Sequence, residues 1–158
     1  MDENKYDETK EILLDFISKN SNEIKAIKFY LECLLELKQY DDIDTFIESL
    51  DDKTKNEKEI LQVIKKLELI RKNLSGPNIN DLVIKLQKAP NDINLIIEVA
   101  EKYFSMQDYK NSMELLIKNY PKNKDRVKNK MIEFFEVLGN SNEYTISFRK
   151  KLSQIMFS

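Results

Sequence analysis

The side chains able to do chemistry are few, and their spacing keeps them apart. Cys33 is the one cysteine, and the chain has no histidine, so an internal disulfide, a CxxC redox pair and the usual zinc-ligand sets have nothing to draw on. A lone thiol becomes a nucleophile when a nearby cation or a helix N-terminus lowers its pKa. Cys33 instead stands between Leu31 and Leu34 beside Glu32, which predicts a small buried core residue. Serine has no histidine base, and with two glycines there is no glycine-rich phosphate loop; nucleophilic and nucleotide chemistry lose their footing. Asp41 with Asp42 and Asp51 with Asp52 fit helix starts, where carboxylates complement the helix dipole, and their separation gives no convergent metal site. The expectation is a chain without catalytic residues, cofactor or metal.

The remaining charge is local. Lysine and arginine number 26 against 28 acidic residues, a formal balance of -2, so no global field invites nucleic acid or anionic lipid. The most basic segment, residues 121–130, holds five basic residues and one acidic. It lacks the interleaved aromatics of a nucleic-acid groove, which predicts an exposed loop and helix start, with an acidic partner as the alternative. The N-terminus is acidic where a signal peptide would be basic and then apolar, and no stretch nears the ~18 apolar residues of a membrane span. A reducing, cytoplasmic setting and no membrane follow as expectations. The abundance of lysine, asparagine and isoleucine hints at an AT-rich bacterial source.

The elements come from a period carried by tyrosine. Tyr6, Tyr40, Tyr109 and Tyr144 are separated by 34, 69 and 35 residues, and 69 is close to two periods, so a repeat without its tyrosine should turn near position 75. Ser75, Gly76 and Pro77 stand there. Three residues after each tyrosine come Thr9, Ile43, Ser112 and Ser147, usually small and one helical turn away. This resembles the helix-turn-helix tetratricopeptide repeat. Its best copy runs over residues 93–123, with Ile96, Val99, Ala100 and Tyr103 on one face of a first helix, a turn at Gln107 to Tyr109, and Ser112 and Leu116 on the second. Ala100 and Ser112 are small where the two helices must approach closely.

Two glycines and three prolines leave long helices uninterrupted. Hydrophobic periodicity places them at about 6–19, 22–38, 41–50, 54–73, 78–88, 92–106, 108–119, 124–138 and 142–157. Asn22, Asn78, Asp92 and Asn142 are the expected N-caps and Gly139 the expected stop. The fold class is therefore all-α, a tetratricopeptide-like right-handed helical-repeat solenoid of about nine helices. It is one domain over 1–158, with divergent repeats at 6–73, the best-matching region at 78–123, and a C-terminal helix pair and cap at 124–158. In the tyrosine register the first helix is the second half of a repeat, which points to a missing partner upstream.

The run Asn91, Asp92, Ile93 through Glu101, Lys102, Tyr103, Phe104, then Asp108 to Leu116, resembles the C-terminal repeats of the thioredoxin-like co-chaperonin (chaperedoxin) family. The tail is similar too, from Met131 to Gly139 and from Tyr144 through Phe148, Arg149, Lys150, Lys151 and Leu152. Before residue 75 only the repeat register and the order of helices agree. The resemblance implies a thioredoxin domain ahead of position 1, lost or removed, and with it any redox role. It further implies a holdase-like adaptor that holds unfolded clients and docks on a GroEL-type chaperonin through its last helix.

Two surfaces follow as candidates. On the last helix Tyr144, Phe148, Arg149, Leu152, Met156 and Phe157 form either a dock or a buried capping stripe, with Met156, Phe157 and the neighbouring cations most accessible. On first helices, Lys28, Phe29, Glu32, Ile97, Glu101 and Phe104 line either a concave groove or a solvated face. Glu32, Glu36, Glu98 and Glu101 at such positions should repel a terminal carboxylate, which favours basic or apolar segments. A generic scaffold in another complex is the alternative function, and a small nucleic-acid-binding helical protein a third.

Overall fold

The computed structural model describes residues 3–157, which form ten α-helices and one 3₁₀ turn with no strand among them. Met1, Asp2 and Ser158, the outermost positions of the expected domain, lie outside the described residues. The helices are α1 Glu3–Lys19, α2 Ile24–Glu36, α3 Tyr40–Ser49, α4 Asp52–Lys55, α5 Lys58–Leu74, α6 Ile79–Lys88, α7 Ile93–Ser105, α8 Tyr109–Asn119, α9 Lys124–Leu138 and α10 Glu143–Met156; the 3₁₀ turn covers Tyr120–Lys122. The chain is an all-α helical-repeat protein.

Helix starts follow local side-chain chemistry. Asn78, Asp92 and Asn142 each accept backbone N–H bonds at the heads of α6, α7 and α10, satisfying donors that the first turn leaves open. Asp108 and Asn123 do the same for α8 and α9. Asn22 does not cap: α2 begins after Glu23, with no side-chain bond there. The single helix expected over 54–73 is divided. The Asp51 carboxylate accepts the Thr54 N–H at 2.9 Å and its hydroxyl at 2.8 Å, which nucleates the one-turn α4. The Asn56 amide then donates to the Asp52 carbonyl at 2.7 Å, closing that turn before α5 starts at Lys58.

The chain divides into two units, Met1–Leu67 and Glu68–Ser158, with the boundary inside α5. In the first, α2 packs on α1 and α3. The repeated apolar spacing of α2 buries Ile27, Leu31, Leu34 and Leu35, with Tyr30 against Phe46 of α3 at a centroid distance of 4.6 Å. In the second, α7 packs on α6 and α8, α8 on α9 and α10, and α9 on α10. Its core includes Ile96, Phe104, Met113, Leu116, Met131, Phe134, Phe148 and Leu152. Phe104 stacks on Phe134 at 4.1 Å. Ala100 and Ser112 are both fully buried, and the Ser112 hydroxyl donates to the Ala100 carbonyl at 2.7 Å, a bond that needs the close helix approach their small size permits.

Candidate protein-binding surfaces

The first helices of the second unit carry a ladder of charge. Glu101 on α7 accepts from Lys72 of α5 at 2.9 Å and from Lys130 of α9 at 2.7 Å, and Lys130 also reaches Glu133 at 2.6 Å. The Glu101 side chain is only 9% exposed. Burial alone would raise its carboxyl, but hydrogen bonds and charge from Lys130 and Lys72 outweigh that and hold it below its usual range. Burial likewise opposes the charge on Lys130, while its bonds to Glu101 and Glu133 push its pKa up. Beside this ladder the Lys102 ammonium donates to the Asn73 carbonyl, and the Arg126 guanidinium to the Asn94 side chain at 2.8 Å.

This arrangement corrects the reading of Glu101 as a free acidic lining. Its charge is spent on two lysines of neighbouring first helices, so it braces them and does not present itself to a ligand. Phe104 is likewise interior, 2% exposed, because it fills the space against Phe134 and Tyr109. Ile97 is half-buried against the core. In the first unit Lys28 and Glu32 of α2 form a local pair at 3.6 Å, and Phe29 is exposed. A sequence signal for the ladder exists: Lys72, Glu101 and Lys130 alternate in sign at steps of 29 residues.

On α10 the six candidates separate by face. Phe148 and Leu152 are buried in the core and Tyr144 is half-buried, with its ring edge-on to Tyr109 at 5.7 Å. The capping stripe therefore accounts for these three. Arg149, Met156 and Phe157 are exposed, Phe157 to 85%. The Arg149 guanidinium lies 5.4 Å from the Phe135 ring centroid and the Lys151 ammonium 4.4 Å from that of Phe148, so both cations lean on rings of the core. A shallow cleft of about 220 Å³ runs between α8 and α10, lined by Lys110, Glu114, Glu143, Tyr144, Ser147, Phe148 and Lys151. Ile146, 60% exposed, lies outside this cleft and is not among the expected residues; it shares the solvent face of α10 with Lys150 four residues on, which helical spacing alone would reveal.

Cys33 is buried, and burial first, then Glu32 and Glu36, push its thiol pKa up, the reverse of nucleophile activation. Among the described residues no group of three or more His, Cys, Asp or Glu could hold a metal, and no helix is long and apolar enough to cross a membrane.

Stacked helical pairs joined by short turns, a tyrosine-marked register and a small-residue crossing define a helical-repeat interaction protein. Residues 72–157 match the Tetratricopeptide repeat family, and the chain belongs to it. Such domains are generally non-catalytic modules for protein–protein interaction. No curated protein matches the chain. Among solved structures, a domain of protein VP0806 (unknown function) from Vibrio parahaemolyticus RIMD 2210633 is similar, at 20% identity and a TM-score of 0.48, over 96% of this chain and 92% of that one.

Proposed function

We propose that the chain is a non-enzymatic adaptor of co-chaperone type, docking on a GroEL-type chaperonin through the outer end of α10. The observation that carries this is the exposed pair Met156 and Phe157 at the end of a helix whose inner stripe is already satisfied. Apolar side chains at a helix terminus, on a helix that also exposes Arg149, Lys150 and Lys151, suit insertion into an apolar groove with an acidic rim. The likeness of the tail to thioredoxin-like co-chaperonins supports the same surface. The face of first helices is a weaker candidate, because its lysines are engaged with Glu101.

Removing α10 would strip Phe148 and Leu152 from the core, so point substitutions are the better test. Met156→Glu with Phe157→Glu should leave the helical circular dichroism unchanged and abolish co-elution with the chaperonin. Undiminished co-elution of that variant would move the dock elsewhere. No co-elution of the unaltered, folded chain would leave a generic tetratricopeptide scaffold for another assembly, with its partner to be sought by pull-down.

A further inference from the structure

The first and last helices expose apolar side chains inside fields of opposite charge. On α1, Ile12 and Phe16 lie one turn apart and are 70% and 45% exposed. Glu8 and Glu11 are exposed beside them, as is Asp15, which pairs with Lys19 at 2.7 Å, and the helix as a whole carries five acidic residues against three lysines. Its inward side, towards α2, is held by buried Ile17 and half-buried Tyr6 and Leu13, so Ile12 and Phe16 belong to the other flank. On α10 the signs reverse: one acidic and three basic residues, with Arg149 and Lys150 exposed near Ile146 and Phe157, which are 60% and 85% exposed.

We propose that the α1 face of one copy docks on the α10 face of another, joining copies through unlike faces. Charge selects this pairing over the symmetric ones, since α1 against α1 would set carboxylates together and α10 against α10 would set cations together. The spacing also agrees. In an antiparallel crossing that places Ile12 against Ile146, Glu8 and Lys150 each stand one helical turn from their isoleucine and meet. Because the two faces differ, the contact is heterologous; repeated from copy to copy it builds an open chain or a closed ring, and either assembly is favoured by concentration. The α10 face is shared with the proposed chaperonin dock and the α1 face is not, so the two readings can fail separately.

Sedimentation velocity of the purified chain tests this. Mean mass should rise with concentration at low salt and fall back as salt screens the faces. Glu8→Lys with Glu11→Lys in one variant, and Arg149→Glu with Lys150→Glu in another, should each weaken association about tenfold or more. An equimolar mixture of the two variants should associate again, since each then meets an opposite charge; a variant that had merely unfolded could not be rescued so. The variant altered on α1 should still co-elute with a chaperonin that binds the unaltered chain. A chain that stays monomeric at about 1 mM, beyond any useful affinity, overturns the proposal, as does association that survives in both variants alone.

Discussion

The α2–α3 and α7–α8 hairpins are the same turn built into different surroundings. Lys38 and Gln107, 69 residues apart in sequence, both take left-handed backbone conformations with φ of 58° and 63°. In each turn the next N–H bonds five residues back, Gln39 to Leu34 and Asp108 to Tyr103, the Schellman pattern that closes a helix. Beyond the turn they part. Ala100 and Ser112 cross with a hydroxyl-to-carbonyl bond, whereas the same register in the first hairpin holds Leu31 and Ile43, both fully buried. Glu101 is sealed between two lysines, whereas its counterpart Glu32 has a 39% exposed side chain and one loose lysine neighbour. The turn is specified locally; the face is specified by what neighbouring helices supply.

Exchanging the crossing residues should break that comparison hardest. Ile43→Ser leaves a cavity and a buried hydroxyl in the first hairpin and should cost about 3–5 kcal/mol. Ser112→Ile forces a branched side chain between helices that meet at a small one, and should cost about 1–3 kcal/mol. Urea unfolding with amide hydrogen exchange resolved by unit checks both. Equal costs would mean that the two crossings are equally close, against the structure.

The carboxylates come next. Glu101→Gln leaves Lys130 with Glu133 alone and should cost about 1–3 kcal/mol, while Glu32→Gln, which breaks an exposed pair, should stay within about 0.5 kcal/mol. The pH dependence follows in sign. The folded carboxyl of Glu101 lies below its unfolded value, so its contribution is full above the unfolded pKa and is lost as pH falls through the folded one. Lys130 is shifted upward, so its contribution is full below the unfolded pKa and is lost as pH rises through the folded one. Acid unfolding followed by circular dichroism should therefore be less steep in Glu101→Gln than in the unaltered chain, and unchanged in Glu32→Gln.

What the sequence could reveal divides along the same line. Asn78, Asp92 and Asn142 mark helix starts because capping is decided within three residues, and the tyrosine period located the turns for the same reason. The break at Asn56 is hidden from hydrophobic periodicity because two short-range bonds, from Asn56 and to Asp51, interrupt an otherwise continuous apolar rhythm. The candidate surfaces were harder. Phe104 reads as groove lining, and Phe148 and Leu152 as either dock or buried capping stripe, while the structure puts all three in the core, since an apolar stripe does not say which neighbour will cover it. Glu101 read as a free acid because its lysines come from helices 29 residues away on either side.

The smallest expected effect tests the half of the comparison in which the hairpins agree. A side chain with a Cβ pays roughly 1–2 kcal/mol to sit in the left-handed region, and glycine avoids that strain while gaining some freedom in the unfolded chain. Neither Lys38 nor Gln107 is a glycine, so both turns carry the cost. Lys38→Gly and Gln107→Gly should therefore each raise stability, by up to about 1 kcal/mol, and by similar amounts because the backbone is the same. Paired thermal melts followed by circular dichroism would read the two shifts. If one substitution stabilises and the other destabilises, the side chain lost must be contributing at one turn and not the other, and the shared register would then describe backbone geometry without equal energetics.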